Sequence, residues 1–369
     1  MEVKSILHMN VGNGESSYAN NSSVAETAMQ KALPILNNTI KDMANRDIIH
    51  IPYFKMAELA CSSSTNSLLV ASNVVNIVHN LCEEKNREAP QFELYLNDLF
   101  ENDFNTIFKM LPKFYSNLKK ENGEQFGPCF VSATPGSFYG RLFSDQSIHL
   151  VHSTYGIHWL SQVPDGVESN KSNIYMAKSS PPTVLEAYQK QFYADFRTLL
   201  QLRSKEVVQG GSMVLTILGR SISDPTSDDC CCFWELLAQS LVDMVKVGLI
   251  QESDLNSFNV PFYSPCEDEV RNVVHNEGSF SLDTLNTFQI NWDPYDTDYK
   301  NMKDFDEPSH IHAKTSAKVM RAVMEPLLTS HFGNFIIDVL FKNYEKRVAL
   351  HLATKKTRHF NIVMSLSRK

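Results

Sequence analysis

The sequence has no glycine where a nucleotide-binding turn most needs one. In Met56–Asn66, MAELACSSSTN, an apolar run ends in an acidic residue, small polar residues fill a bend, and a long helical pattern follows. Turns of this kind carry glycines so that the backbone can approach the ligand, but here those positions hold Ala60 and Ser64. There is no Lys-Ser/Thr phosphate loop either, which removes the usual nucleotide-triphosphate reading. No run reaches the roughly 18 apolar residues that would span a bilayer. The opening MEVKSILHMNVGNG is too short and too polar for a secretory segment, so the sequons at Asn20 and Asn37-Asn38-Thr39 carry no weight. Basic excess is absent: the net charge is −8, which argues against a nucleic-acid binder. The seven cysteines (61, 82, 129, 230, 231, 232 and 266) lack paired metal-site spacing and are odd in number. They read as reduced thiols of a cytoplasmic protein. Cys230-Cys231-Cys232 reads as a packed helix start, because adjacent residues diverge around a helix.

What is present is an alternation. At 369 residues, 43% hydrophobic and 21% charged, the chain suits one large α/β domain or one domain plus a lid. Residues 24–45 are helical, with Pro34 as a point of kinking or division. Residues 52–59 read as a buried strand, 66–83 as a helix and 92–98 as a second strand ending in aspartate. An exposed helix and loop follow at 113–127. CFVSATPGSFYGRLF (129–143) reads as strand, turn and short helix. Residues 148–154 form a strand and 183–206 a long amphipathic helix, and Gly210-Gly211 turns the chain into a strand at 212–219. Strand and helix in turn predict an α/β fold with a mostly parallel sheet covered on both faces. Beyond Gly219 the character becomes helical (230–247 and 313–331), with an acidic, mobile loop at 293–310. FNIVMSLSRK (360–369) then returns as a strand. The expected organisation is a core of 1–219 and 350–369, with 220–349 inserted as a mainly helical cap.

Open α/β sheets bind ligands beyond the carboxyl ends of their strands. Three such ends are informative: Glu58 with its loop, Asn97-Asp98-Leu99, and Ser137-Phe138. A carboxylate there accepts from ribose hydroxyls, and an aromatic beside a serine stacks on a purine. Glu58 and Asp98 are 40 residues apart, against roughly 20 in a dinucleotide fingerprint. A cofactor without phosphates, S-adenosylmethionine, fits better, because phosphates most demand the missing glycines. The rival reading makes each strand-end acid a helix cap or turn residue.

Eight further stretches carry a resemblance: LHMNVGNGESSYANNS (7–22), LYLNDLFENDFNTIF (94–108), PGSFYGRLF (135–143), HSTYGIHWLSQVP (152–164), NKSNIY (170–175), FWELLA (233–238), GLIQESDLNSFNVPFYSP (248–265) and EPLLTSHFG (325–333). In this order they resemble the plant SABATH methyltransferases, nearly end to end. The resemblance implies a Rossmann-like class I methyltransferase core with an inserted α-helical cap, a homodimer, and no nucleic-acid or membrane partner. It implies S-adenosylmethionine as cofactor, leaving as S-adenosylhomocysteine, with contacts at Tyr18, Ser22, Glu58, Cys61, Asn66, Asp98, Leu99, Ser137, Phe138, Ser153, Thr154 and Tyr155. It also implies an acceptor pocket of Tyr18, Tyr155, His158, Trp159, Phe233, Trp234, Met320 and Phe360. Some relatives hold magnesium at positions matching Asn170, Asn256, Phe258 and Asn259. Here Asn256 replaces the usual aspartate, which weakens a hard-cation site.

Two departures from the family pattern matter. Its loop runs Asp-Leu-Gly-Cys-Ser-x-Gly-Pro-Asn, whereas this chain has Glu58, Ala60 and Ser64; positive φ at either small residue would cost about 1–2 kcal/mol, and weaker cofactor binding is expected. Members acting on salicylate or jasmonate carry a glutamine where this chain has Ala25. His158 matches the His-Trp pair of jasmonate-, nicotinate- and purine-type members. The implied chemistry is in-line transfer of the sulfonium methyl to a carboxylate. Such an acceptor has a pKa of about 4 and needs no general base; Trp159 and His158 would position its oxygens. The alternatives are N-methylation of a purine or pyridine, in which His158 would manage a proton, and a non-catalytic protein that binds a plant acid.

Overall fold

The computed structural model describes residues 6–123, 127–296 and 308–369. The helix α1 (Ser23–Asn45) precedes β1 (Tyr53–Leu59), α2 (Asn66–Glu84) and β2 (Gln91–Asp98). Next come α3 (Phe104–Phe108), α4 (Leu111–Asn122), β3 (Cys129–Pro135), β4 (Ile148–Thr154), α5 (Pro182–Glu206) and β5 (Val207–Gly219). The remainder is α6 (Asp228–Lys246), α7 (Glu252–Ser257), α8 (Glu267–Glu277), β6 (Phe280–Asn291), α9 (Pro308–Phe332), α10 (Ile337–Thr354) and β7 (Arg358–Arg368). Pro34 lies inside α1 without dividing it.

The seven strands form one sheet in the order β3-β2-β1-β4-β5-β7-β6. The first five are parallel, and β7 runs antiparallel between β5 and β6. Strand alternation separates two cores. Phe54, Met56, Leu94, Leu96 and Val214 pack toward α1, α2 and α4. Ala57, Leu59, Val151, Leu215 and Ile362 pack on the opposite face toward α5, α6 and α10. Burial on both faces is what allows parallel strands to read as near-continuous apolar runs.

Several expectations change. No helix follows β3; residues 136–147 connect directly to β4. Gly210 and Gly211 lie inside β5 rather than before it, at a register break between the Ile148 and Leu150 pairings. A Cβ on Gly211 would come within 2.8 Å of the His149 carbonyl oxygen, and Gly210 has a φ of +76°, so a bulge fits there and a side chain does not. The stretch 220–349 is not wholly a cap: it supplies β6, an edge strand of the sheet. The loop expected at 293–310 falls largely on 297–307, outside the described residues, as does 124–126 of the segment expected at 113–127.

Candidate active site

The ends of β1, β2, β3 and β4 open into one largely apolar pocket, roofed by residues of α6, α9 and α10. Its construction starts in the loop after β1. Ala60 has a φ of 58° and Ser62 a φ of 53°, so two backbone reversals, one on each side of Cys61, turn the loop back over β2. Ser64 takes no such conformation. The turn aims the Ser62 N–H at Asp98 Oδ2, 2.7 Å away, while the Leu99 N–H donates to Oδ1 at 2.8 Å. Burial outweighs both bonds and pushes the Asp98 carboxyl up to about 6. Asn97 donates to the Thr134 and Gly136 carbonyls at 2.7 and 2.9 Å, fixing the turn that presents Ser137 and Phe138. Behind that turn, buried Arg203 donates to the Phe138 and Gly140 carbonyls at 3.1 and 2.7 Å.

Of the expected contacts, Tyr18, Ser22, Asp98, Leu99, Ser137, Phe138, Thr154 and Tyr155 line the pocket. Glu58, Cys61, Asn66 and Ser153 do not; they stand behind its wall as braces. Glu58 Oε2 meets His152 Nδ1 at 2.7 Å across the β1–β4 pair. Ser153 Oγ donates to the Leu59 carbonyl at 2.9 Å, and Asn66 Nδ2 donates to the Ser22 carbonyl at 3.2 Å. The Cys61 carbonyl accepts from Ser67 Oγ at 2.7 Å, and its thiol is pushed up by burial.

At the other end of the pocket stand His158, Trp159, Phe233, Trp234 and Met320, as expected. Phe262 knits three of them together, with ring centroids 4.7 Å from His158, 5.4 Å from Trp159 and 5.2 Å from Trp234. His158 Nδ1 accepts the Leu218 N–H at 3.1 Å. That bond puts the ring proton on Nε2. Burial, with His359 nearby, holds the ring down to about 3. His158 is therefore a neutral, fixed hydrogen-bond donor. Tyr155 has a φ of 64° and donates its hydroxyl to Asn361 Oδ1 at 2.6 Å.

Phe360 is not on the pocket wall. It shares the core face of β7 with Ile362, Met364 and Leu366, and its neighbour His359 lines the pocket instead. Sequence reasoning also missed Leu7, His8 and Met9, which close one side of the pocket. That segment is tied down where the Asn10 N–H donates to the Ala322 carbonyl at 2.8 Å and Asn10 Nδ2 to Glu325 Oε2 at 2.9 Å. Its signal lies in LHMNVGNGESSYANNS, the stretch that also carries Tyr18 and Ser22.

The four positions considered for magnesium do not fit a hard cation. Asn170 Nδ2 donates to Asn259 Oδ1 at 2.9 Å, Ser180 Oγ donates to Asn170 Oδ1 at 2.7 Å, and the Ser172 N–H donates to Asn256 Oδ1 at 2.9 Å. Each amide oxygen already accepts a hydrogen bond, and none of the four residues is a carboxylate.

The family described as SAM dependent carboxyl methyltransferase matches residues 4–369. A probable jasmonic acid carboxyl methyltransferase of Theobroma cacao is 44% identical, with both chains covered over their full length. A benzoic acid/salicylic acid carboxyl methyltransferase of Petunia hybrida is also 44% identical, covering 100% of this chain and 99% of its own. The solved structure of a loganic acid methyltransferase with SAH superposes with a TM-score of 0.84 at 29% identity, over 98% of each chain.

Proposed function

The chain belongs to the S-adenosylmethionine-dependent carboxyl methyltransferases and has their class I methyltransferase fold, and from that premise we propose that it forms the methyl ester of a small plant carboxylic acid. The observation that carries this reading is the donor pair His158–Trp159 in an aromatic sleeve. The Leu218 N–H occupies the His158 Nδ1 lone pair, so the imidazole offers only an N–H to the pocket. An ionised carboxylate needs donors and no base.

The cofactor's part is to supply an electrophilic methyl group on a sulfonium. The pocket's polar end fits such a molecule. Asp98 accepts ribose hydroxyls, Phe138 and Ser137 take the adenine, and Ser62, whose buried Oγ has no partner in the protein, meets the amino-acid end. Glu58, Cys61, Asn66 and Ser153 serve by holding that loop in shape. At the acceptor end His158 and Trp159 each hold one carboxylate oxygen, while Phe233, Trp234, Met320, Tyr18 and Tyr155 set the shape and exclude water. Helices α6, α9 and α10 act as the cap over the acceptor.

Methylation of a ring nitrogen is the less favoured reading: the Leu218 N–H engages the one lone pair of His158, so the His-Trp pair offers donors and no base, and both relatives reported above are named for carboxyl acceptors. We further propose a cytoplasmic homodimer: all seven cysteines are free thiols, and the pairing, which follows from the family resemblance, is checked by light scattering. The deciding experiment is turnover of S-adenosylmethionine against jasmonate, salicylate, benzoate, nicotinate, xanthines and alkaloid acids, with products read by mass spectrometry. An alkali-labile ester is expected. An alkali-stable product overturns ester formation, and failure of the folded protein to bind S-adenosylmethionine at millimolar concentration overturns an enzyme altogether.

A further inference from the structure

The acceptor pocket holds a polar group that positioning of a carboxylate does not use. Because β7 is antiparallel to β5, its first residues lie at the sheet edge where the parallel strands end. β6 finishes at the same edge and pairs Ile290 with His359. The β6–β7 pair therefore brings Trp292 and His359 to the pocket. The His359 ring lies 5.5 Å from Phe233 at 75° and 6.1 Å from Trp292. Its Nδ1 is buried without a partner, as is Trp292 Nε1. The other imidazoles of this region are engaged: His158 by the Leu218 N–H, His152 by Glu58, and His8 by the Met9 carbonyl. Among these four imidazoles, only the His359 ring makes no hydrogen bond to a described residue.

We propose that His359 is a second recognition point in the acceptor pocket, selecting carboxylic acids that carry an uncharged hydrogen-bonding heteroatom (a ring nitrogen, ketone or hydroxyl) away from the carboxylate. The proposal rests on the methyl-ester reading and adds the substrate class. Burial holds the ring down to about 4, and the titratable neighbour facing it is His158, itself neutral. A neutral imidazole has one N–H and one lone pair, so it serves a ketone or ring nitrogen as donor and a hydroxyl as either. An acid made only of carbon beyond its carboxylate leaves this group unsatisfied beside it, and sites built to bond a heteroatom discriminate strongly against analogues that lack one.

The test uses matched acceptors: benzoate against nicotinate and 3-hydroxybenzoate, and cyclopentylacetate against its ring ketone. In the wild-type enzyme kcat/KM favours the heteroatom member of at least one pair by tenfold or more. His359→Phe keeps a planar ring and should bring that ratio within threefold, mainly through KM. His359→Asn, whose amide both donates and accepts, should keep part of it. Absence of preference in every pair, or persistence of the preference in His359→Phe, overturns the proposal. Calorimetric titration of the same pairs into protein saturated with S-adenosylhomocysteine gives the same ratios without turnover. If no acid is methylated, ester formation fails while the titration still decides the role of His359. Circular dichroism confirms that each variant is folded.

Discussion

Ala60→Gly tests where the strain of the cofactor loop is expressed. An alanine at a φ of 58° is in the left-handed region, at a cost of about 1–2 kcal/mol relative to glycine. Glycine returns about 0.5–1 kcal/mol of that through its freer unfolded chain. The net expectation is a gain of about 0.5–1 kcal/mol. For a chain of this length the unfolding entropy is about 0.8 kcal/mol per degree, so Tm should rise by about 1 °C in scanning calorimetry. The strained φ is held by the loop's own hydrogen bonds, from the Cys61 N–H to the Asn97 carbonyl and from the Ser62 N–H to Asp98, so the strain is borne by folding and not by binding. The Kd for S-adenosylhomocysteine should therefore change by less than about threefold, which narrows the expectation, drawn from the sequence, of weaker cofactor binding. Ser64→Gly is the control. Ser64 has no positive φ, and its Oγ accepts the Asn66 N–H at 3.3 Å at the start of α2. That variant should lose about 1 kcal/mol. A Tm for Ala60→Gly that is unchanged or lower refutes the strain argument. A tenfold tighter Kd would show instead that the loop relaxes until ligand arrives.

Three other outcomes follow from the same geometry. The Asp98 carboxyl is raised to about 6 from an unfolded value near 3.8, so the folded state holds the extra proton. The resulting stabilisation of the ligand-free protein, of the order of 3 kcal/mol, is full below pH 4 and lost as pH rises through 6. Ribose hydroxyls prefer the ionised form, so S-adenosylhomocysteine should bind about tenfold more weakly at pH 5 than at pH 7, and Asp98→Asn should flatten that dependence in calorimetric titration. Arg203 and Glu206 are wholly buried and 2.8 Å apart, in ion contact rather than an aligned hydrogen bond; Arg203→Met should cost about 3 kcal/mol in denaturant unfolding and weaken cofactor binding by loosening the Phe138 turn, with Arg203→Lys a poor rescue because one ammonium cannot span both carbonyls. Chelation by EDTA should leave turnover within about twofold, since Asn170, Asn256 and Asn259 spend their oxygens on protein donors; loss of rate restored by magnesium would contradict this.

Much of the fold was legible because its strands are long apolar runs and its helices repeat at 3.6 residues. What escaped was set by pairing partners distant in sequence. β6 reads SLDTLNTFQIN with much polar surface, since it is an edge strand half open to solvent, and nothing local distinguishes it from a loop within a helical region. Gly210-Gly211 looks like a turn because two glycines usually make one. Only the register with β4 reveals a bulge. Sequence marks Glu58 and Ser153 as ligand contacts because it shows which residues cluster at a strand end and not which of them turns to a protein partner instead.

The same limit explains the exchange of Phe360 for His359, and it yields a clean dissection. Side chains alternate along a strand, so a one-residue difference in register reverses the face. An aromatic residue is the natural choice for an apolar pocket, but the β5–β7 pairing sets Phe360 opposite Gly219 and turns it into the core with Ile362. Truncation of Phe360 to alanine should then cost about 3–5 kcal/mol, several degrees of Tm in a chain of this size, while the ratio of kcat/KM between matched acceptors stays put. His359→Phe should do the opposite, moving the ratio and leaving Tm within about a degree. A Phe360→Ala variant that reorders acceptor preference as much as His359→Phe would show that the strand presents its other face to the acceptor.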